Sequence, residues 1–209
     1  MKKETMLKKI AQKGYDVSYA ANLNFATYDI VTKIPSVVSF LSIAIGIFGL
    51  VFESFRVVGV SVCILLLGIV SLYIEKFTSN VDDYCKRGST DTGLLYRLKN
   101  LYFKIKDSDD TNSDFTEEEK EYEEIEKEYN NTSSAKQILF ANWFAHYKMF
   151  IEKDYKWMDE QLHFGWWKDK TPGSLKATII VLLVIGGVLF IANWCDALDA
   201  IKSWFMCNN

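Results

Sequence analysis

The sequence has only two prolines in 209 residues, Pro35 and Pro172, so little interrupts long helices. Glycine is scarce in the middle of the chain: between positions 75 and 172 only Gly88, Gly93 and Gly165 occur. That excludes a glycine-rich phosphate loop there, and hairpin turn signals are equally sparse. The two histidines, His146 and His163, have no carboxylate cluster at metal spacing around them, so structural or solvent-facing roles are expected and no metal site is predicted. None of the four cysteines (Cys63, Cys85, Cys195, Cys207) forms a CxxC pair, which argues against zinc. Cys63 lies in an apolar run and reads as a small packing residue. Cys195 and Cys207 could pair only if the C-terminal tail faces an oxidising space. Nucleophile, base and oxyanion donors are not assembled in any motif, so no catalytic residue and no cofactor is assigned and an enzyme is not expected.

Charge is also missing where it matters. Totals of -3 net and 24% charged residues describe an ordinary soluble protein, but the charges avoid three long apolar runs. These are Ile34–Phe52, Val57–Ile74 and Ala177–Ala192, the last extendable to Trp194. A helix needs about 20 mainly apolar residues to cross a hydrocarbon core of about 30 Å. A charge at mid-membrane costs about 2.5–3.5 kcal/mol on insertion scales, so three uncharged runs are informative. A soluble chain of this size could not cover three segments that are apolar all round. The expected fold is therefore all-α: an integral membrane protein with three transmembrane helices and a helical cytoplasmic domain. The first run begins behind about thirty polar residues, too far from Met1 for the core of a cleaved signal.

Glu53-Ser54-Phe55-Arg56 joins the first two runs and forces a tight antiparallel hairpin, with Pro35 expected in the first turn of its first helix. Trp166, Trp167 and Trp194 bracket the third run at the separation of interfacial anchors. Lysines 2, 3, 8, 9, 13 and 33 precede the first run. Lys76, Lys86 and Arg87 follow the second, Lys168, Lys170 and Lys176 precede the third, and only Lys202 follows it. This asymmetry predicts a cytoplasmic N-terminus and an outward C-terminus. The predicted organisation is a cytoplasmic N-terminal helix over 1–33, a transmembrane hairpin over 34–75, a helical cytoplasmic domain over 76–174, a third span over 175–194 and an outward-facing tail over 195–209. In that tail Leu198, Ile201 and Phe205 share one helical face, which suits a helix on the outer membrane surface.

Between the second and third runs the periodicity is helical. Over Thr92–Lys106, Leu94, Leu95, Leu98, Leu101, Tyr102 and Ile105 line one face, and the polar stretch Asp107–Ser113 reads as a loop. A second helix opens at Thr116, with Glu119 completing a capping box, and carries Tyr122, Ile125 and Tyr129 on one side. Its acid reads as a solvated face rather than a cation site. A third, aromatic helix is expected from Ser133 or Ser134 to Leu162, holding Phe140, Trp143, Phe144, Tyr147, Phe150, Tyr155 and Trp157 as the packing centre of the domain.

In the first span Ser39, Ser42, Gly46 and Gly49 fall within about an 80° arc at 100° per residue. Small residues let helices approach closely, and serine hydroxyls bond across the contact. Two readings stand: a packing seam with the second span or a neighbouring subunit, or the lining of a narrow pore in an oligomer. No charged ring or carbonyl filter accompanies the stripe, so a selective ion channel is not expected.

A polar helix (YDVSYAANLNFATYDIV) leads into a tight two-helix hairpin, followed by aromatic-patterned helices (GLLYRLKNLYFKI and SSAKQILFANWFAHYKMFIE). Over roughly residues 5 to 165 this layout resembles the SLATT domain, a two-span effector domain of bacterial conflict systems. The third span is an addition to that plan. The resemblance implies an effector of an anti-phage system that oligomerises in the inner membrane and permeabilises it, halting the infected cell. It would be activated by a partner sensor or its product, such as a nucleotide synthase or reverse transcriptase system. The expected contacts are the lipid bilayer, copies of the same chain and that genomic partner, with no direct nucleic-acid binding. The alternative function is a harmless membrane scaffold that docks a cytoplasmic enzyme.

Overall fold

No proline stands before Pro35, and in the computed structural model residues 3 to 51 form one continuous helix, α1 (Lys3–Val51). It is followed by α2 (Val58–Glu75), α3 (Val81–Lys106), α4 (Thr116–Asn130), α5 (Ala141–Tyr147), a π-helical turn (Lys148–Glu152), α6 (Lys156–Leu162) and α7 (Gly173–Cys207). The structure describes residues 2–55, 57–108, 115–131 and 136–207, with the side chains of 189 and of 192 onward excluded. Every regular element among the described residues is helical. The chain divides into two units, Met1–Gly165 and Trp166–Asn209.

In the first unit, α1 buries Leu7, Ile10, Gly14, Val17, Ala21 and Asn24 at alternating spacings of three and four. Against this stripe runs α3, antiparallel: Lys3 Nζ reaches the Ser108 carbonyl at one end, and Asn24 meets Asp91 nearer the other. Leu94, Leu98, Leu101, Tyr102 and Ile105 of α3 join Met6, Ile10 and Val17 of α1 in the main core. Tyr122 and Ile125 of α4, Met149 and Phe150 of the π turn, and Trp157 and Met158 of α6 close it. The face predicted over 92–106 is thus the buried one, and α3 extends it back to Val81. Thr116 is the first residue of α4 rather than its cap. Phe115 holds the cap position, and its carbonyl accepts from Glu119 N at 2.8 Å.

Two further expectations are corrected. Pro35 lies inside α1, not in a first turn. The aromatic helix expected to end at Leu162 is three pieces, and residues 132–135 of its expected start lie outside the described residues. Residues 136–140 form a non-helical strap. Lys153–Tyr155 then separates the π turn from α6, where Asp154 accepts from Lys99 Nζ at 2.9 Å and Lys156 N at 3.3 Å. The aromatics divide accordingly: Phe150 and Trp157 are core, while Phe140 and Tyr147 are exposed. Phe140 has φ 67°, a left-handed conformation that costs a bulky residue about 1–3 kcal/mol.

Close approach constrains Gly88, where a Cβ would stand 3.0 Å from the Phe25 ring, and more tightly Gly14. A Cβ at Gly14 would overlap the Trp157 indole, whereas one at exposed Gly93 would meet nothing within 4 Å. Helix propensity alone favours alanine over glycine by about 1 kcal/mol, and overpacking a core costs about 1–3 kcal/mol. Gly93→Ala is therefore expected to raise the thermal midpoint of the full chain in detergent, and Gly14→Ala to lower it. Equal rises in circular-dichroism melts would show that Gly14 is not packed against Trp157.

The α1–α3 contact also buries an ionisable group. Asn24 Nδ2 donates to Asp91 Oδ2 at 3.3 Å, and the Oδ1 atoms of both residues are buried without a hydrogen-bond partner. Burial pushes the Asp91 carboxyl above the usual range, against the opposing pull of the Asn24 hydrogen bond and the Arg87 charge. Its contribution to stability is thus full below the unfolded-state value of about 3.9 and is lost as pH rises through the folded value. Asp91→Asn keeps the shape, removes the charge and adds an N–H donor. It is expected to raise stability by about 1 kcal/mol at neutral pH, or about 2–4 °C in the melting midpoint, with the gain shrinking towards pH ~4. A gain independent of pH would contradict ionisation of Asp91 as its source.

Candidate functional site

The second half of α1 and all of α2 are apolar in sequence and unlike the rest of the first unit in burial. Among the described residues two helices are long and apolar enough to cross a membrane, and in each only 6% of the most apolar 18-residue window is buried. A core helix of a soluble domain would show the reverse. Leu50 and Val58, for instance, are each 79% exposed.

What these helices do bury is one seam. Along α1 the less exposed positions include Pro35, Val38, Ser42, Ile45 and Gly49, and along α2 they are Val60, Ile64, Leu67, Ser71 and Ile74. Both sets alternate spacings of three and four, the pattern of two helices packed at a shallow angle. A short 3-10 turn, Glu53–Phe55, leads out of α1 towards α2, and its Phe55 ring sits 5.6 Å from Phe48 and 6.4 Å from Phe52. Arg56 lies outside the described residues.

The four small residues of α1 fall at two different places. Ser42 and Gly49 lie on the seam, half-buried. Ser39 and Gly46 lie on its exposed flank, where a Cβ at Gly46 would meet nothing within 4 Å. Gly49 is nearly as open, with only the Phe55 carbonyl at 3.9 Å.

At the other end of the hairpin a polar and aromatic base ties it to the helical body. Ile74 and Val31 are buried with Ala26, Ile138, Ala141 and Ala145 in a second, smaller core. Thr27 Oγ1 donates to Gln137 Oε1 at 2.6 Å, Tyr84 Oη to the Lys136 carbonyl at 2.6 Å, and Leu139 N to Tyr73 Oη at 3.4 Å. Asp29 pairs with both Lys33 and Lys148 at 2.6 Å. Burial alone would push the Asp29 carboxyl up, but the hydrogen bonds and charges of Lys148 and Lys33 outweigh it and hold it below the usual range. The strap 136–140 was not foreseen as part of this base, because its residues read as the start of a helix. No glycine or asparagine signals the left-handed turn at Phe140.

The second unit is described by itself. Trp166 and Trp167 are exposed, and Lys176 Nζ lies 5.4 Å from the centre of the Trp167 ring. Helix α7 runs without a break to Cys207, and its described apolar part, Gly173–Val188, is shorter than a full span. Trp194, Cys195 and Cys207 lie outside the described side chains. Among the described residues no group of three His, Cys, Asp or Glu could hold a metal ion. His146 Nδ1 is 2.9 Å from the Asn142 carbonyl, with its ring edge-on to Tyr19, and His163 ends α6 in a left-handed conformation.

No curated protein and no solved structure matches the chain. A family model does, over residues 1–179, and its description specifies two transmembrane helices and an effector role. The matched region contains both long apolar helices and the body beneath them, while most of α7 lies beyond it. The chain belongs to the SLATT_6 family, the SMODS and SLOG-associating 2TM effector domain 6.

Proposed function

We propose that this protein is an effector of a bacterial anti-phage system that sits in the inner membrane and oligomerises. On activation by a partner sensor or its product it makes the membrane leak. The observation that carries this reading is the hairpin's exposure: it buries one seam and leaves its remaining apolar surface to a solvent that must itself be apolar. In hydrocarbon the helix backbone satisfies its own hydrogen bonds, and the apolar side chains that are unfavourable in water face lipid instead.

The basic residues on α1 before Ile34, with Lys76, Lys86 and Arg87 after the hairpin, support a cytoplasmic N-terminus and helical body. Helix α7 is the third span in this reading, with Trp166, Trp167 and Trp194 at its two interfaces and residues 195–209 outside. No hydrophobic force drives helices together within lipid, so association depends on close packing. The Ser39–Gly46 flank offers that closeness to the α1 of a second copy, and Ser42 offers it on the seam within the hairpin. Rearrangement of this face among copies opens the leak. The family's description places such effectors beside SMODS and SLOG proteins, the classes expected to supply the signal.

Liposome dye release by purified protein, with and without its genomic partner, tests the function. Activated protein should release dye and collapse the membrane potential of expressing cells. A chain that is harmless when overproduced and leak-free with its partner would instead be a scaffold. Gly46→Leu fills the open flank and is expected to cut both crosslinked oligomer and leak at least about tenfold, the effect of about 1.4 kcal/mol. Gly46→Ala should retain most of both. Undiminished leak from Gly46→Leu would remove the flank from the mechanism.

A further inference from the structure

Ile138 and Ala141 are buried in the small core, yet the two large apolar residues between them, Leu139 and Phe140, are 61% and 50% exposed. A helix would also turn out the two positions between buried residues three apart, but this segment is not helical, and Phe140 stands in a left-handed turn. That turn brings the Phe140 ring to 4.6 Å from Trp143, while Tyr73 and Phe77 pack edge-to-face at 5.6 Å. The two pairs are joined through the hydrogen bond from Leu139 N to Tyr73 Oη.

Depth decides what this patch meets. The apolar run ending at Ile74 begins at Val57. At 1.5 Å per residue it is about 27 Å long, close to the thickness of a hydrocarbon core. Tyr73 therefore stands at the cytoplasmic boundary, and its bond to Leu139 sets the strap at the same level. Aromatic side chains with a polar edge concentrate at that level. Lys33 is exposed on α1 just before its apolar run, Lys76 is exposed at the end of α2, and Lys136 is exposed at the start of the strap.

We propose that Leu139, Phe140 and Trp143, together with Tyr73 and Phe77, form a lipid-binding collar. It sits in the headgroup and upper acyl layer of the cytoplasmic leaflet, where Lys33, Lys76 and Lys136 meet phospholipid phosphates. The collar is a second membrane contact, made by the body rather than by a span, and it fixes how far the body stands from the bilayer. It rests on the reading of the hairpin as membrane-spanning.

The test uses the full chain with its four cysteines changed to serine. An environment-sensitive fluorophore is placed singly at Phe140→Cys, Leu139→Cys, Leu66→Cys in α2, or Tyr96→Cys on the exposed side of α3. The protein is reconstituted in vesicles of phosphatidylethanolamine and phosphatidylglycerol carrying quenchers at shallow or deep positions. At 139 and 140 the shallow quencher should act several-fold more strongly than at 96, with blue-shifted emission. Position 66 should respond to the deep quencher. A quenched 66 with 139 and 140 as wet as 96 overturns the collar and leaves the hairpin standing. Labels at 139 and 140 that are dry yet unquenched mean a protein surface covers the patch, which overturns the lipid assignment. An unquenched 66 overturns the membrane reading, and the collar with it. Using both 139 and 140 guards against a local disturbance of the strained turn.

Discussion

One helix carries two kinds of surface. Helix α1 is 49 residues long, about 74 Å at 1.5 Å per residue. Its first half is buried against α3, α4, α5 and α6, and its second half is exposed and apolar. The same backbone hydrogen-bond ladder runs through both. The body and the hairpin are consequently not two domains on a linker, because the element that organises the core is also the first wall of the hairpin. Everything at the hairpin base, from the Asp29 ion pairs to the strap at 136–140, packs around the stretch where α1 passes from one regime to the other.

The interactions holding that passage differ in weight. Exposed pairs such as Arg97–Glu128 contribute little, since water screens them and both side chains lose freedom. The Asp29–Lys148 pair is better sheltered on both sides and links α1 to the π turn. Buried polar contacts add specificity of register. Thr27 with Gln137 and Asn24 with Asp91 can form only when α1 stands at one height against its neighbours, and a slip would bury those groups unpaired. The seam of the hairpin, by contrast, is made of apolar and small residues, with Ser42 and Ser71 as its polar positions.

Much of this was legible in the sequence because the signals were long. The two apolar runs over 34–74 declared α1's second half and α2, and the heptad-like face Leu94–Ile105 declared the core side of α3. Continuity was not legible. Pro35 reads as a helix start, since its missing N–H is harmless in a first turn. Only packing of both flanks keeps the helix going through it. The aromatic stretch after residue 136 misled for the opposite reason. Its composition favours one helix, but Trp157 has to reach Gly14 and Phe150 has to reach Tyr155 and Phe164, so tertiary contacts bend it into pieces. The left-handed Phe140 carries no local signal at all. The small-residue stripe was visible as an arc, but its division between a seam and an open flank depends on where α2 lies.

The same continuity says where the hairpin can change shape. Within lipid a broken backbone hydrogen bond finds no water to replace it, so bending α1 inside the apolar run is expensive. Within the body the helix is clamped by its core face. Pro35 stands between the two, one turn beyond Val31, and its ring has already removed the hydrogen bond to the Val31 carbonyl. Bending there gives up the least, and Val31 is buried with Ile74, Ile138 and Ala141, so the base of α2 and the strap feel any such bend directly. Helices whose joint to a rigid body lies at a proline can be re-angled by a displacement of that body. In the proposed function, a displacement of the body would reach the apolar face of α1 through Ile138, Ile74 and Val31, which are buried together.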